Sequence, residues 1–489
     1  MSKDKIGISG FSVYVPPLRV DLQRWCEWTG NCWEKIKSVV GRGFRMRAPT
    51  QSIYTFAATA VLRLIKNYDL DPRRIKFLGL GTESSTDNAA GAIIIKGMVD
   101  DALRKLGLPT LARDCEVPEF KHACLGGVYG IKSAVRFLAH DGGDAQAIVV
   151  SADIAEYARG SSGEPTQGAG AVAMLLERDP KIAEVHLNKA GSASDYRAID
   201  FRKPFSRFAA QPARSDGQLQ DLPVFNGKYS TTCYVDQTMH AMNAMFDRRQ
   251  IKSANYCREL EAVFMHRPYQ RMPETGWALA YLFALARGTT ADHKELEEYC
   301  QQAGIAVKEL IAEMTASPRI RELVESNSID TDAYPLAMQV LRVFRSSNAY
   351  QQVVTNKLSL GGELMQELGN LYTGALPAWL AAGFEEAQKQ TEEFNGGEIL
   401  AVGYGSGDAA EVIPLTVCED WRNNSARIGF QEALSDAVDL SQNQYETLHD
   451  QGSLENSSLT LRGDFIIDKV GGSTGQFCDQ GVEYYRYLD

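Results

Sequence analysis

Apolar positions along the first 180 residues follow two periods. Short runs rich in Ile, Val, Leu and Phe, at Ile6–Val15, Phe77–Gly81 and Ala147–Ser151, predict buried strands. Between them, Tyr54–Asn67, Ala89–Leu106 and the segment starting at Cys124 predict helices; in the last, Leu125, Val128, Ile131, Val135 and Leu138 recur at helical spacing. Strands alternating with helices define an α/β layered fold. Gly168–Glu177 reads as a further buried strand. From about Ala183 a looser series repeats the scheme, with strands at Glu261–Met265 and Glu398–Gly403 and helices at Glu274–Arg287 and Gly374–Gln388. The pattern therefore predicts two similar α/β halves, 1–180 and 181–417, and a polar C-terminal cap over 418–489. Two stretches interrupt the second half: an irregular polar one near 204–223, and a helical, charged one near 287–358 that reads as solvated helix faces.

Composition narrows the functional classes. A chain of 489 residues exceeds one ordinary core. A net charge of −11 disfavours nucleic acid and anionic membranes, so an acidic substrate needs a local basic patch. No apolar run is long enough to span a bilayer, and the N-terminus lacks the pattern of a secretory signal, which predicts a cytoplasmic protein. Nine scattered cysteines without a Cys-x-x-Cys pair predict reduced thiols and no structural metal.

Six positions carry candidate chemistry. Cys124 stands where an extended approach gives way to a helix, and is either a small buried hydrophobe or a thiolate nucleophile; in the first helical turn its pKa would be depressed. Glu83 follows the apolar run Phe77–Gly81 directly, at a strand's carboxyl end, where α/β proteins gather their active sites. His266 ends Glu261–Met265 in the same manner, just ahead of Pro268. Gly405-Ser406-Gly407 ends a third strand, and its small residues allow a backbone N–H to join that of Cys124 in an oxyanion hole. Asn370 is either a plain N-cap or an amide donor to a substrate carbonyl. His122 ranks behind His266 as a partner for Cys124.

In order along the chain, Gly81-Thr-Glu83-Ser, Glu119-Phe-Lys-His-Ala-Cys124, Ser151-Ala-Asp153-Ile-Ala-Glu-Tyr157, Gly163-Glu-Pro-Thr166-Gln-Gly-Ala-Gly-Ala-Val172, His266-Arg-Pro-Tyr269, Gly369-Asn370-Leu-Tyr372-Thr373 and Tyr404-Gly-Ser406-Gly407 resemble the hydroxymethylglutaryl-CoA synthases. The resemblance runs from about Ile6 to Val417. It implies the thiolase fold, two related α/β halves in a five-layer αβαβα arrangement, and a homodimer. It also implies a mevalonate-pathway acyltransferase that needs no cofactor and condenses acetyl-CoA with acetoacetyl-CoA. By the same resemblance Cys124 is the acetylated nucleophile, Glu83 the general acid and base, and His266 the residue that positions acetoacetyl-CoA. Asp153, Tyr157, Thr166, Asp200, Phe201, Tyr234, Asn370, Tyr404 and Ser406 fall at positions resembling the pocket lining. Arg271 stands where a lysine facing the CoA phosphates is usual.

The chain departs from that pattern at three points. Leu125 replaces a usual aromatic and is expected to shape the acyl pocket, a second basic residue after Arg271 is missing, and 287–358 is long. Two rival readings remain. A β-branching synthase would take its acetyl donor from an acyl carrier protein, docked on a basic patch drawn from Arg42, Arg45, Arg47, Arg202, Lys203 and Arg207. A non-catalytic acyl-CoA-binding paralogue would have lost the nucleophile or the acid, and both are present.

Overall fold

The computed structural model describes residues 5–489 apart from 198, 202–221, 224–225, 317–319, 321, 323–325, 327–331, 333, 391–393, 395 and 455–460. Arg202, Lys203, Arg207 and nearly all of the 204–223 stretch lie outside the described residues.

Strands β1 (Ile6–Tyr14), β4 (Ile75–Gly81), β5 (Glu119–Phe120), β6 (Gln146–Ala155) and β7 (Gly168–Arg178) build the first half, and β10 (Val263–Met265), β11 (Glu398–Gly405) and β12 (Ala409–Val417) the second. The short β8 (Ala183–Val185) pairs with both β1 and β12 and links the halves into one sheet of order β10-β11-β12-β8-β1-β7-β6-β4-β5, with β9 (Gly191–Ser194) on β12. The small strands β2 (Leu18–Asp21) and β3 (Gly43–Met46) pair antiparallel in a separate small sheet.

Alternation along the strands sets the layers. In β7, Val172, Met174 and Leu176 enter one core, while Ala169, Ala171, Ala173 and Leu175 enter another. β6 repeats this, with Ala147 and Val149 facing one way and Ile148, Val150 and Ala152 the other. A strand apolar on both faces must be covered on both. Helices Ile53–Asn67 and Gly91–Lys105 cover the outer face of the first half. Helices Gly227–Arg249 and Arg271–Ala286 pack with the second half. Between the halves lie helices Gly126–His140 and Ala375–Lys389. The latter stacks Phe384 on Phe11 of β1 and sets Trp379 edge-on to Phe264 of β10, so one helix touches both halves. This is the expected five-layer arrangement.

The charged stretch forms helices Thr290–Ala303, Val307–Thr315 and Pro335–Phe344. Their apolar sides are buried through Leu296, Leu310 and Phe344, the last stacked on Tyr281. The C-terminal segment folds back on the first half. β13 (Val438–Asp439) pairs with β2, helix Gln442–Gln451 buries Tyr445 and Leu448 beside Phe44, and the hairpin of β14 (Phe465–Val470) and β15 (Glu483–Tyr487) lies on helix Ile53–Asn67. No helix among the described residues is long and apolar enough to cross a membrane.

Candidate active site

Parallel pairing delivers the candidate residues to one end of the sheet. β4 runs parallel to β6, with Gly81 opposite Ser151, and β10 parallel to β11, with Met265 opposite Val402. Glu83, His266 and Ser406 follow the carboxyl ends of β4, β10 and β11. The central helix begins at Gly126 with Leu125 as its N-cap, so Cys124 lies just ahead of the helix rather than in its first turn. Ala123 before it holds a left-handed φ of 42°, which turns the chain sharply into the site. Close packing requires glycine here: a Cβ on Gly127 would come within 2.2 Å of Ser151 Oγ and 2.8 Å of the Thr373 carbonyl oxygen.

The Cys124 thiol donates to Glu83 Oε2 across 3.2 Å. The expected depressed pKa is overturned: burial first, then the Glu83 charge, pushes the thiol well above its ordinary value. Cys124 is therefore a protonated thiol hydrogen-bonded to a carboxylate. His266 is buried, and burial alone lowers its pKa to about 3, leaving a neutral imidazole. Its backbone oxygen accepts from the Tyr234 hydroxyl at 3.1 Å, and its N–H donates to the Val402 carbonyl at 2.7 Å.

A cavity of about 530 Å³ opens over these groups, a size suited to a small-molecule ligand. Cys124, Tyr157, Thr166, Phe201, His266, Asn370, Tyr404 and Ser406 all line it, with Glu83 behind the thiol. Four other expected residues stand outside the lining. Asp153 is fully buried, and its carboxylate accepts from Thr82 Oγ1, Glu83 N, Ser84 N and Oγ, and Thr373 N and Oγ1. With its acceptor sites filled by the chain, it braces the Glu83 loop. Tyr234 supports His266 from below. Asp200 accepts from the Tyr404 hydroxyl at 2.8 Å. Arg271 starts its helix one residue before Met272, which does line the cavity.

Leu125 corrects a further expectation. It is wholly buried against β11, where a Cβ on Gly403 would lie 2.7 Å from Leu125 Cδ1. The acyl end is instead walled by Tyr157, Phe201 and Tyr372, whose ring centroids lie 5.7 to 6.4 Å apart around Cys124. Nor do the described members of the expected basic patch form one: Arg45 is buried and donates to the Glu367, Pro16 and Leu434 carbonyls, and Arg42 pairs with Glu363. Exposed Lys35 and Lys228 stand in the lining instead. His122 lies outside the lining, edge-on to Tyr129.

The residues that sequence reasoning missed either wall the site or support it from behind. Tyr372, at a φ of 44°, closes the aromatic wall, and only its place in the Gly369–Thr373 motif signalled it. Glu164, buried, accepts from Trp25 Nε1 at 3.0 Å, the Tyr445 hydroxyl at 2.6 Å and the Gly160 N–H at 2.5 Å. His449 reaches the Tyr157 carbonyl at 2.8 Å. The C-terminal helix thus clamps the loop that carries Tyr157, Gly163 and Thr166.

A cysteine at the head of a helix buried between two α/β halves, with an acid and a histidine at neighbouring strand ends, defines an acyl-transferring enzyme of the thiolase-like class. The solved structure described as MvaS in complex with 3-hydroxy-3-methylglutaryl coenzyme A superposes with a TM-score of 0.75 over all of both chains, at 24% identity. PksG, an HMG-CoA synthase from Bacillus, gives 0.69 over 99% of this chain and 100% of its own, at 18% identity. The family models for the hydroxymethylglutaryl-coenzyme A synthase N terminal and C terminal match residues 2–181 and 218–451, and the chain belongs to that family. Among curated relatives, the hydroxymethylglutaryl-CoA synthase of Enterococcus faecalis is 26% identical over 91% of each chain. That of Haloferax volcanii is 25% identical over 82% of this chain and 80% of its own.

Proposed function

We propose that the chain is a mevalonate-type synthase that joins an acetyl group held on Cys124 to acetoacetyl-CoA and releases hydroxymethylglutaryl-CoA. The observation that carries this reading is the 3.2 Å contact between Cys124 Sγ and Glu83 Oε2 at a cavity that His266 also lines. The thiol gives its proton to Glu83 as the sulfur attacks the acetyl carbonyl carbon, and the departing CoA thiolate takes that proton back. Acetoacetyl-CoA then enters. Glu83 removes a proton from the methyl group of the acetyl thioester, and the enolate carbon attacks the ketone carbon. Neutral His266 donates a hydrogen bond to the ketone oxygen, which becomes an alkoxide and receives the proton held on Glu83. On this reading backbone N–H groups of Cys124 and Ser406, two residues that line the cavity, hold the thioester oxygen. Finally water, deprotonated by Glu83, cleaves the thioester and Cys124 regains its proton. Lys35 and Lys228 at the rim supply positive charge for the CoA phosphates.

The test is peptide mass after incubation with acetyl-CoA alone. An acetyl adduct on Cys124 is expected; an unmodified thiol, with an adduct forming only from an acetylated carrier protein, overturns the choice of donor in favour of β-branching.

A further inference from the structure

Behind the cavity, the turn after β11 sends Asp408 inward, where it is 2% exposed and Asp200 is 1% exposed. The Tyr404 hydroxyl sits between them, 2.8 Å from Asp200 Oδ2 and 3.0 Å from Asp408 Oδ1. A hydroxyl has one proton to donate. Were both carboxylates ionised, one of those two contacts would set lone pair against lone pair.

The surrounding charge leads to the same count. Arg197 Nη1 is 3.2 Å from Asp408 Oδ2, and the same guanidinium also pairs with buried Asp236 and approaches Asp195 at 3.6 Å. Asp236 also accepts from the Tyr334 hydroxyl at 2.6 Å and lies 3.6 Å from His240. Cys233 and Tyr229 also lie near Asp408 among the described residues; burial pushes both upward, so they stay neutral and offset no carboxylate charge. Among the described residues one buried guanidinium thus serves the carboxylates of Asp236 and Asp408, Asp200 meets them only through the Tyr404 hydroxyl, and Asp200 Oδ1 has no hydrogen-bond partner.

We propose that Asp200 and Asp408 hold a single proton between them across the Tyr404 hydroxyl, and that this bridge fixes Tyr404 as the cavity wall beside His266. Asp408 is then a positioning residue for the condensation, a role that rests on the synthase reading. The Tyr404 ring lies 5.0 Å from that of Tyr234 and 6.4 Å from that of His266, so an anchored Tyr404 holds both. Burial and the facing Asp200 raise Asp408 to about 8, so the proton is present at neutral pH and leaves in mild alkali. Two buried anions then repel, the bridge opens, and the acceptor binds less well.

The experiment compares wild type, Asp408→Asn and Asp408→Ala in two readouts. In the first, the pH profile of kcat/KM for acetoacetyl-CoA, wild type is expected to lose activity above about pH 8. Asp408→Asn, which keeps a donor and cannot ionise, is expected to stay within about threefold at neutral pH and to lack that alkaline limb. Asp408→Ala is expected to raise KM about tenfold or more. In the second, infrared difference spectra of the substrate-free protein are expected to show a protonated carboxyl band at neutral pH that Asp408→Asn removes. An alkaline limb unchanged in Asp408→Asn, or no protonated carboxyl in wild type, overturns the proposal. Failure of the synthase reading shows separately, as a Cys124 that takes no acetyl group while the infrared band remains.

Discussion

Cys124 donates its thiol proton directly to Glu83, and the acid that accepts it is a leading cause, after burial, of the thiol's reluctance to ionise. On the proposed reading, the nucleophile is therefore generated as substrate arrives and is not stored as a thiolate. Storage would set a buried thiolate against the half-buried Glu83 carboxylate, beside the apolar wall of Tyr157, Phe201 and Tyr372, which disfavours it.

Removing the Glu83 charge should lower the thiol pKa, because the anion raises it. Glu83→Gln is expected to be alkylated by iodoacetamide several-fold faster than wild type at mildly alkaline pH. It should still take up acetyl groups slowly, yet condensation should fall by about 10² to 10⁴. Slower alkylation in the variant would show that Glu83 does not act on the thiol electrostatically.

His266 has a folded pKa of about 3 against an ordinary 6.5. Between those values the unfolded chain binds the extra proton, so stability rises with pH across that window and is lost as pH falls below 6.5. The limiting slope is about 1.4 kcal/mol per pH unit. His266→Gln should flatten the decline in denaturation midpoint between about pH 6.5 and 5. Activity should likewise show no His266 limb near 6.5, and such a limb, absent from the variant, would mean that His266 ionises in the working enzyme.

Asp153 joins the Glu83 loop to Thr373 through one carboxylate. Asp153→Ala strips partners from the Glu83, Ser84 and Thr373 N–H groups, and is expected to cost about 3 to 5 kcal/mol in urea unfolding. Condensation should fall further than the loss of folded protein explains. Wild-type stability in this variant would place the weight of the loop elsewhere.

Tyr445 contributes one of the three donors to buried Glu164. Tyr445→Phe is expected to cost about 1 to 3 kcal/mol and to raise KM for the acyl donor, because Gly163 and Thr166 of the clamped loop line the cavity. Thermal melts and initial rates check both. A lower melting temperature with KM unchanged would limit the C-terminal helix to a structural role.

Much of this architecture was legible because its rules are local. The helix expected over Tyr54–Asn67 spans Ile53–Asn67, and the strand expected at Phe77–Gly81 spans Ile75–Gly81. Strand-end placement of Glu83 and His266 followed from where apolar runs stop. Leu125 misled because adjacency in sequence says nothing about which face a side chain takes. It turns to β11, while the acyl wall comes from residues far along the chain.

Periodicity and motif order, read from the chain alone, determined the layered α/β class, the family and which residues are candidates for the chemistry. Each of these depends on residue type and spacing. Tertiary structure decided their physical state. Glu83 reaches Cys124 across 41 positions, Thr373 reaches Asp153 across 220, and Tyr445 reaches Glu164 across 281. Burial and Coulomb interaction depend on distance in space, so only the folded chain makes Cys124 a thiol, His266 a neutral imidazole and Asp153 a brace for the loop that carries the acid.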